Sequence, residues 1–416
     1  MTFSNLLFRG EAVDLTVEDG AIARIAPAAD ASAEPGFLLA PAFYNGHTHL
    51  AMNLLRGFAD DIELEPWLRD HIWPAEAHLT DAIVYAGTRL AILEMIRSGT
   101  VFANDMYWHA PAVARAAEEM GIRCAVSMQT IETGGPGRND PRNIASNREL
   151  AGALPRSASE GRVFATFAPH AIYTVCEETL RSIAAQAKAE EALLHIHVSE
   201  TAGEVAACRA AHGGRTPVKY LDDCGILGPR TVMAHCVHLT DDDIRLIADR
   251  GAVIAVNAQS NQKLCSGMFR FRDAVERGGC RAILGTDGAS SNNALSMFAE
   301  MKGAALLAKM ESGDPTAGSA ERIHRMATRD GARVFGIDAG EIREGAAADF
   351  LLLRRAAPAL VPGFHPESDL VYAADPSCVD TVVCAGRILM RGGRVPGEAE
   401  IVAEARKAAA ELVRAR

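Results

Sequence analysis

The chain has 416 residues, of which 49% are hydrophobic and 23% charged, a composition typical of a soluble globular protein with a sizeable core. Its formal net charge of −11 argues against a nucleic-acid partner, and no apolar run approaches the roughly 18 residues needed to cross a bilayer. The nine cysteines include no C-x-x-C pair, which indicates reduced thiols, so we expect a cytoplasmic protein.

Along most of the chain, short apolar or β-branched runs alternate with amphipathic helical segments. The runs predicted as strands are residues 37–46, 100–105, 123–130, 162–169, 192–198, 231–236, 252–258 and 281–286. The helical patterns span residues 80–98, 111–121, 177–190, 240–251 and 293–310. Because eight strands that alternate with helices can close a barrel, we predict an α/β fold with a (β/α)8 TIM barrel.

The two ends of the chain show a different pattern. Residues 1–36 contain short strand patterns with a hairpin turn at Asp19-Gly20, and residues 345–395 contain strand patterns such as GAAADFLLL. We therefore predict a small β-sandwich-like domain assembled from residues 1–40 and 345–396. The barrel, residues 41–344, would be inserted between its halves, and residues 397–416 would form a C-terminal helix.

Histidines and carboxylates stand where several predicted strands end, which is where a TIM barrel carries its active site. The first strand ends in NGHTHL, and alternation along a strand points His47 and His49 to the same face. The later strand ends carry His170 of APH, His197 and Glu200 of HIHVSE, His235 of AHCVH and Asp287 of GTDGASSNN.

These residue types suit a divalent metal ion and acid–base catalysis. Three imidazoles and a carboxylate can hold zinc, iron or manganese with an open position for water, whose pKa the ion lowers. One group must then accept a proton and another must protonate the substrate, and His235 with Asp287, and Glu200, are available. The strand RVFATFAPH has no lysine that could be carboxylated to bridge a second ion, so we expect one metal.

Some of these residues have simpler explanations. An isolated H-x-H pair is a weak signal, and Glu200 could be a solvated loop carboxylate. His195 and His238 are expected to be packed side chains with structural roles.

The motifs together resemble the amidohydrolase superfamily, in its branch of metal-dependent aminohydrolases, and are most similar to the 5′-methylthioadenosine/S-adenosylhomocysteine deaminases. The segments that carry the resemblance are NGHTHLAMNLLRGFADDIELEPWLRDHIWPAEAHLT, NDMYWH, APHAIYTV, HIHVSE, MAHCVHL and GTDGASSNN, in that family's order. EGAAADFLLL and VVCAGRIL resemble its returning β strands. The resemblance covers nearly the whole chain and is more specific for the branch than for the substrate.

The resemblance implies hydrolytic deamination of 5′-methylthioadenosine, 5′-deoxyadenosine or adenosine to the inosine analogue and ammonia. It implies metal ligation by His47, His49, His197 and Asp287. Glu200 would protonate the ring nitrogen beside the amino-bearing carbon. His235, with Asp287, would orient and deprotonate the attacking water.

The resemblance also implies substrate-binding residues. Glu76 would hold the ribose hydroxyls, His170 would contact the purine, and Trp67 would lie near the 5′ end. Glu76 could instead be a solvated carboxylate near the start of the helix after Thr80, and Trp67 could be a buried aromatic.

The chain departs from the family at one position. Members that accept S-adenosylhomocysteine can use an arginine at the end of the third strand and another from the next loop. Here Met128 stands at the strand end, while the loop offers Arg138 and Arg142, each either a substrate contact or a solvated charge. We therefore expect uncharged 5′ groups to be preferred over S-adenosylhomocysteine.

Two other functions compete with this hypothesis. Guanine, pterin and s-triazine aminohydrolases share the metal set but bind no ribose that Glu76 could hold. A metal-binding or scaffolding protein on an inactive fold would be expected to lack Glu200, His235 or Asp287. The partner we expect is a small-molecule purine nucleoside, without nucleic acid or membrane, and we expect a homo-oligomer.

Overall fold

The computed structural model describes residues 1–30, 34–132, 150 and 152–414. Its larger sheet consists of eight parallel strands in which each strand lies beside the next along the chain. These strands are β5 Phe43–Thr48, β6 Thr100–Tyr107, β7 Arg123–Thr130, β8 Val163–Pro169, β9 Leu194–Val198, β10 Thr231–His235, β11 Val253–Val256 and β12 Arg281–Leu284. The N–H of Asp287, beyond β12, donates to the carbonyl of His47 on β5 at 3.0 Å, so the barrel is nearly closed.

Helices lie between most of the barrel strands, as predicted. Within the described residues the α-helices are Leu64–Trp67, Trp73–Glu76, Asp81–Arg97, Ala110–Met120, Glu177–Ala189, Ala202–Ala211, Pro217–Asp223, Asp241–Arg250, Ala258–Lys263, Met297–Ser312, Ala320–Ala327, Arg329–Val334, Pro366–Tyr372 and Glu398–Arg414. Shorter turns of 3-10 helix are Leu50–Leu55, Pro358–Leu360 and Pro376–Cys378, and π-helical turns are Leu68–Ile72 and Arg272–Arg277. None of these described helices has the length and apolar character needed to span a membrane.

Helix ends follow from capping residues that are visible in the sequence. The helix Asp241–Arg250 begins after Thr240, whose side chain accepts the N–H of Asp243, while the Asp243 carboxylate accepts the N–H of Thr240. It ends at Gly251, whose φ of 68° is left-handed and favours glycine.

The smaller sheet combines strands from both ends of the chain. They are β1 Thr2–Phe8, β2 Glu11–Glu18, β3 Ala21–Pro27, β4 Phe37–Pro41, β13 Phe350–Arg354, β14 Val379–Cys384 and β15 Arg387–Met390. Their order in the sheet is β15-β14-β13-β4-β1-β2-β3. Only β1 and β4 pair in parallel; the other neighbours are antiparallel. The α/β class, with a barrel and a β unit built from both termini, is therefore confirmed, while the exact domain boundaries stay predictions.

The prediction of one strand over residues 37–46 is wrong in its extent. β4, Phe37–Pro41, pairs with β13 in the smaller sheet, whereas β5, Phe43–Thr48, begins the barrel. The chain passes from one sheet to the other at Ala42, which is fully buried. Because the segments on both sides are also buried, the apolar pattern continues across the junction, and the sequence gives no sign that one strand ends and another begins there.

A buried ion pair connects the barrel to the smaller sheet. Asp349 accepts hydrogen bonds from the Tyr44 hydroxyl at 2.5 Å and from the Arg123 guanidinium at 2.8 Å. It also accepts the N–H of Ala385 at 2.5 Å. Since Tyr44 lies on β5 and Arg123 on β7, one carboxylate ties two barrel strands to the returning β strands.

Candidate metal and catalytic site

The carboxyl ends of the barrel strands surround one cavity, with about 590 Å³ of atom-free space up to its open mouth. Predicted site residues that line it are His49, Trp67, Glu76, His170, His197, Glu200, His235 and Asp287. His47 is fully buried beside this cavity. Residues far apart in the sequence therefore come together as the strand-end pattern predicts.

His47, His49 and Asp287 form the first group of potential metal ligands. The Nε2 atoms of His47 and His49 lie 3.3 Å and 3.2 Å from Oδ1 of Asp287. Asp287 has a left-handed φ of 63° just after β12. This group of donor atoms is compact, with every pair within 4.8 Å.

A second group overlaps the first, because His47, His197 and His235 also place one ring nitrogen each within 4.8 Å of one another. Nε2 of His197 lies 3.3 Å from Nε2 of His49. The buried Nε2 of His47 has no hydrogen-bond partner among the described residues. A buried nitrogen without a partner costs free energy that a bound cation would remove, so the donor set fits a divalent metal ion.

Main-chain carbonyls orient two of these imidazoles. Nδ1 of His49 lies 2.5 Å from the carbonyl oxygen of Met106, and Nδ1 of His197 lies 2.8 Å from that of His170. A carbonyl only accepts, so each Nδ1 carries a proton, and in the neutral form of the imidazole Nε2 is left with its lone pair for a metal.

A third imidazole, that of His47, is held by the side chain of His195. His195 is 1% exposed, and its Nε2 lies 2.8 Å from Nδ1 of His47. The residue that we predicted to be a packed interior side chain thus contacts a candidate ligand directly. His238, the other histidine predicted to be structural, has its Nε2 2.6 Å from the carbonyl of Ser266.

Burial and one carboxylate set the protonation of the site. Burial lowers the pKa of His47 to about 4 and lowers the pKa of His197 well below its usual value. Burial also disfavours the charged form of His49, but the hydrogen bond to Asp287 outweighs this effect and raises the pKa of His49 to about 9. Burial would raise the pKa of Asp287, yet the imidazoles of His47 and His49 beside it hold it well below its usual range. Metal binding requires an ionised carboxylate and neutral imidazoles, so a bound ion would displace the proton that Asp287 favours on His49.

The short helix Ala258–Lys263 supports both Asp287 and His235. The Ser260 hydroxyl donates to Oδ2 of Asp287 at 2.6 Å, and Oδ1 of Asn261 accepts from Nδ1 of His235 at 2.8 Å. Neither residue was predicted from the sequence, although the polar run NAQSNQK directly after a strand was an available signal.

Glu200 is 6% exposed, so the alternative of a solvated loop carboxylate is wrong. Its Oε2 lies 3.7 Å from Nε2 of His235, and its Oε1 accepts from the Ser266 hydroxyl at 3.4 Å. Burial raises its pKa, which suits a group that holds and then donates a proton. Glu204, which the sequence did not point to, accepts the N–H groups of Ser199 and Glu200 at 2.9 Å and 2.8 Å and so fixes the loop.

The predicted substrate-binding residues also face the cavity. Glu76 is 7% exposed, so it is not a solvated carboxylate, and its Oε2 accepts from Nε1 of Trp108 at 2.9 Å. Its Oε1 has no hydrogen-bond partner among the described residues, and burial raises its pKa. Trp67 is both buried and part of the cavity wall. Burial lowers the pKa of His170 to about 3, and its Nδ1 lies 2.9 Å from the Thr174 hydroxyl.

The two loop arginines, Arg138 and Arg142, lie outside the described residues. The backbone of Met128 is placed on β7, in register with Tyr107 of β6 and Phe167 of β8.

Comparison with known proteins gives consistent matches over most of the chain. The amidohydrolase family model matches residues 38–389. The chain is 47% identical to the 5′-deoxyadenosine deaminase of Methanothermobacter thermautotrophicus, over 91% of this chain and 88% of that protein. It is 42% identical to 5-methylthioadenosine/S-adenosylhomocysteine deaminase 1 of Archaeoglobus fulgidus, over 86% of this chain and 84% of that protein. An adenosine deaminase structure from Xanthomonas campestris with bound zinc superimposes with a TM-score of 0.89 at 33% identity, covering 96% and 93% of the two chains.

Proposed function

Because the chain belongs to the amidohydrolase family, we propose that it is a metal-dependent aminohydrolase that deaminates adenosine-type nucleosides. The substrates are 5′-deoxyadenosine, 5′-methylthioadenosine and adenosine, and the products are the inosine analogue and ammonia. The observation that carries this proposal is the convergence of His47, His49 and Asp287 beside Glu200, in a cavity that also holds a buried Glu76. The names of the similar proteins support the substrate class.

The metal would be one divalent ion held by His47, His49, His197 and Asp287. We propose zinc, in line with the zinc in the similar Xanthomonas campestris structure, with iron or manganese as alternatives. When bound, the ion lowers the pKa of a water molecule and so supplies the nucleophile at neutral pH.

The chain's own residues move the protons. Asn261 holds the protonated Nδ1 of His235, so Nε2 is free to accept a proton from the attacking water. Glu200, whose raised pKa keeps it ready to donate, protonates the purine N1 as the new carbon–oxygen bond forms at C6. His235 then returns its proton to the amino nitrogen, the carbon–nitrogen bond breaks and ammonia leaves. The hydroxyl on C6 gives its proton to Glu200 and becomes the carbonyl oxygen of the product, which restores both residues to their starting forms.

Glu76 selects the nucleoside over the free base. Its Oε1 has no hydrogen-bond partner among the described residues, so it is available to the ribose hydroxyls. Charge-assisted hydrogen bonds of this kind contribute roughly 1.5–3 kcal/mol each, and adenine forfeits them. His170 contacts the purine, and Trp67 lies towards the 5′ end.

At the 5′ end we propose that uncharged groups are preferred. Met128 stands where a carboxylate-binding arginine would be needed, so the charged tail of S-adenosylhomocysteine would lose water without a fixed partner from that strand. The contribution of Arg138 to that tail stays a prediction.

An ultraviolet assay of the zinc-loaded protein tests the proposal. With adenosine, 5′-deoxyadenosine, 5′-methylthioadenosine, S-adenosylhomocysteine, adenine and guanine as substrates, we expect the first three to have the highest kcat/KM. Adenine should be poorer by about two orders of magnitude or more, which is the loss expected when Glu76 has no partner.

Glu76→Ala should narrow the gap between adenosine and adenine, because it removes the acceptor that only the nucleoside uses. Glu63→Ala, a change at an exposed glutamate that does not line the cavity, is the matched control. Turnover of guanine without turnover of any adenosine-type nucleoside would refute the proposed substrate class.

A further inference from the structure

A second cavity, with about 1370 Å³ of atom-free space up to its open mouth, adjoins the catalytic one. It lies between the helical segment around Leu68, the loop after β8 and the helix Ala202–Ala211. Its apolar wall includes Leu64, Leu68, Trp73, Ile172, Ala207 and Ala211. We call this space the side groove.

The side groove meets the catalytic cavity at the catalytic glutamate. The residues that line both spaces are Leu64, Leu68, Trp73, Tyr173 and Glu200. By contrast, Glu76, Gln129 and Ile131 line the catalytic cavity without lining the side groove. Glu200, which the proposed function assigns to the purine, thus borders both spaces, whereas Glu76, assigned to the ribose, borders the catalytic cavity alone.

The chemistry of the purine identifies which substituent faces this groove. The inference rests on the proposed function, in which Glu200 protonates N1 and His170 contacts the same ring. Carbon 2 of the ring lies between N1 and N3, so a group on it points away from C6 and past Glu200. The loop that follows His170 supplies Ile172 and Tyr173 to the groove wall on that side.

We propose that the side groove is a subsite for an uncharged, apolar substituent on carbon 2 of the purine. Its polar groups are largely committed elsewhere: Arg69 donates two hydrogen bonds of 2.8 Å to Asp70, and Glu204 accepts two main-chain N–H groups. A charged substituent would lose its hydration there without gaining a partner, whereas an alkyl chain would cover apolar wall. The enzyme therefore deaminates 2-alkylthioadenosines.

Two substrates with the same ring chemistry test this subsite. 2-Methylthioadenosine and 2-hexylthioadenosine carry the same atom on carbon 2 and differ only in the length of the chain that would enter the groove. With the zinc-loaded full-length protein, we expect both to be deaminated, and the hexylthio compound to have the lower KM.

Ala207→Phe should fill the groove, because Ala207 is an exposed residue of the groove wall. We expect it to lower kcat/KM for 2-hexylthioadenosine by about tenfold, the lower end of what apolar pocket changes produce, and to change adenosine less than about twofold. Ala207→Leu should give a smaller loss and guards against a folding defect of the phenylalanine variant. Ala206→Phe is the matched control, because Ala206 is also exposed on the same helix but does not line the groove.

The outcomes separate this inference from the proposed function. If adenosine is deaminated but 2-hexylthioadenosine is not, the subsite is overturned while the deaminase remains. An equal effect of Ala207→Phe on both 2-alkylthio compounds, or an effect confined to 5′-substituted nucleosides, also overturns it. If no adenosine-type nucleoside is deaminated, the proposed function fails and the subsite fails with it.

Discussion

At the residue scale, the Nε2 atom of His47 carries the strongest indication of a metal ion. It is buried, has no hydrogen-bond partner among the described residues and lies 3.3 Å from a carboxylate oxygen of Asp287. We predict that His47→Ala or His197→Ala abolishes stoichiometric metal binding and turnover, as measured by elemental analysis and the ultraviolet assay. His78→Ala, a change at an exposed histidine, should leave both intact. A His47→Ala protein with a full complement of metal would remove that residue from the ligand set.

Glu200 should separate catalysis from metal binding. Glu200→Gln keeps the shape of the side chain but removes the transferable proton, so we predict unchanged metal content and a loss of turnover of about 10²–10⁴-fold. The comparison requires equal metal content and equal thermal stability of the two proteins. Full activity in a folded Glu200→Gln protein would exclude the role assigned to it.

The residues that could be predicted from the sequence are those whose position follows from one strand. Alternation along a strand and its end point place His47 and His49, and the same rule applies to His197 and His235. Ser260 and Glu204 could not be found in this way. Their roles depend on hydrogen bonds to groups on other elements or on a loop. Serine and glutamate are also mostly exposed residue types, so their presence in a sequence does not indicate a buried role.

At the element scale, the helix Ala258–Lys263 holds two catalytic candidates through neighbouring side chains. Asn261→Ala removes the acceptor that fixes the tautomer of His235, so we predict a fall in kcat of about 10–100-fold, with little change in KM and metal content. Gln262→Ala, at an exposed position of the same helix, is the control. A rise in KM for the nucleoside without a fall in kcat would show that Asn261 does not act through His235.

Glu300 supports that helix from Met297–Ser312. It is fully buried, and its carboxylate accepts the N–H of Gln259 at 3.3 Å and the side-chain amide of Asn292 at 3.2 Å. Burial raises its pKa to about 8, whereas the ordinary value is 4.5. Between these two pH values the folded protein therefore binds more protons than the unfolded chain, and the free energy of unfolding falls as the pH rises.

Glu300→Gln should remove that dependence, because the amide does not titrate. We predict that wild type loses stability relative to the variant as the pH rises from 5 to 8. The urea midpoint of the variant should therefore rise relative to that of wild type over this range, and the difference should be constant at higher pH. A difference that stays constant over this range would contradict the assignment. Measurement at both pH values with the same metal content isolates the effect of the carboxyl group.

At the scale of the whole molecule, periodicity and capping predicted most of the barrel. The strand predicted at residues 123–130 coincides with β7, and the helix predicted from Thr240 to Gly251 occupies Asp241–Arg250. The seven-stranded order of the smaller sheet could not be predicted. It depends on pairs such as Phe350 with Pro41, which lie far apart in the chain, and on the buried Asp349 that holds them to the barrel.

Reconstitution of the metal-free protein with zinc in the presence of 5′-deoxyadenosine tests whether the protein is a metal-dependent deaminase. We predict no turnover without metal, and full turnover once about one equivalent of zinc per chain has been added. The adenine-to-hypoxanthine absorbance change and the release of ammonia should then rise together, one ammonia for each nucleoside converted. Full turnover by the metal-free protein, or an absorbance change without ammonia, would contradict this prediction.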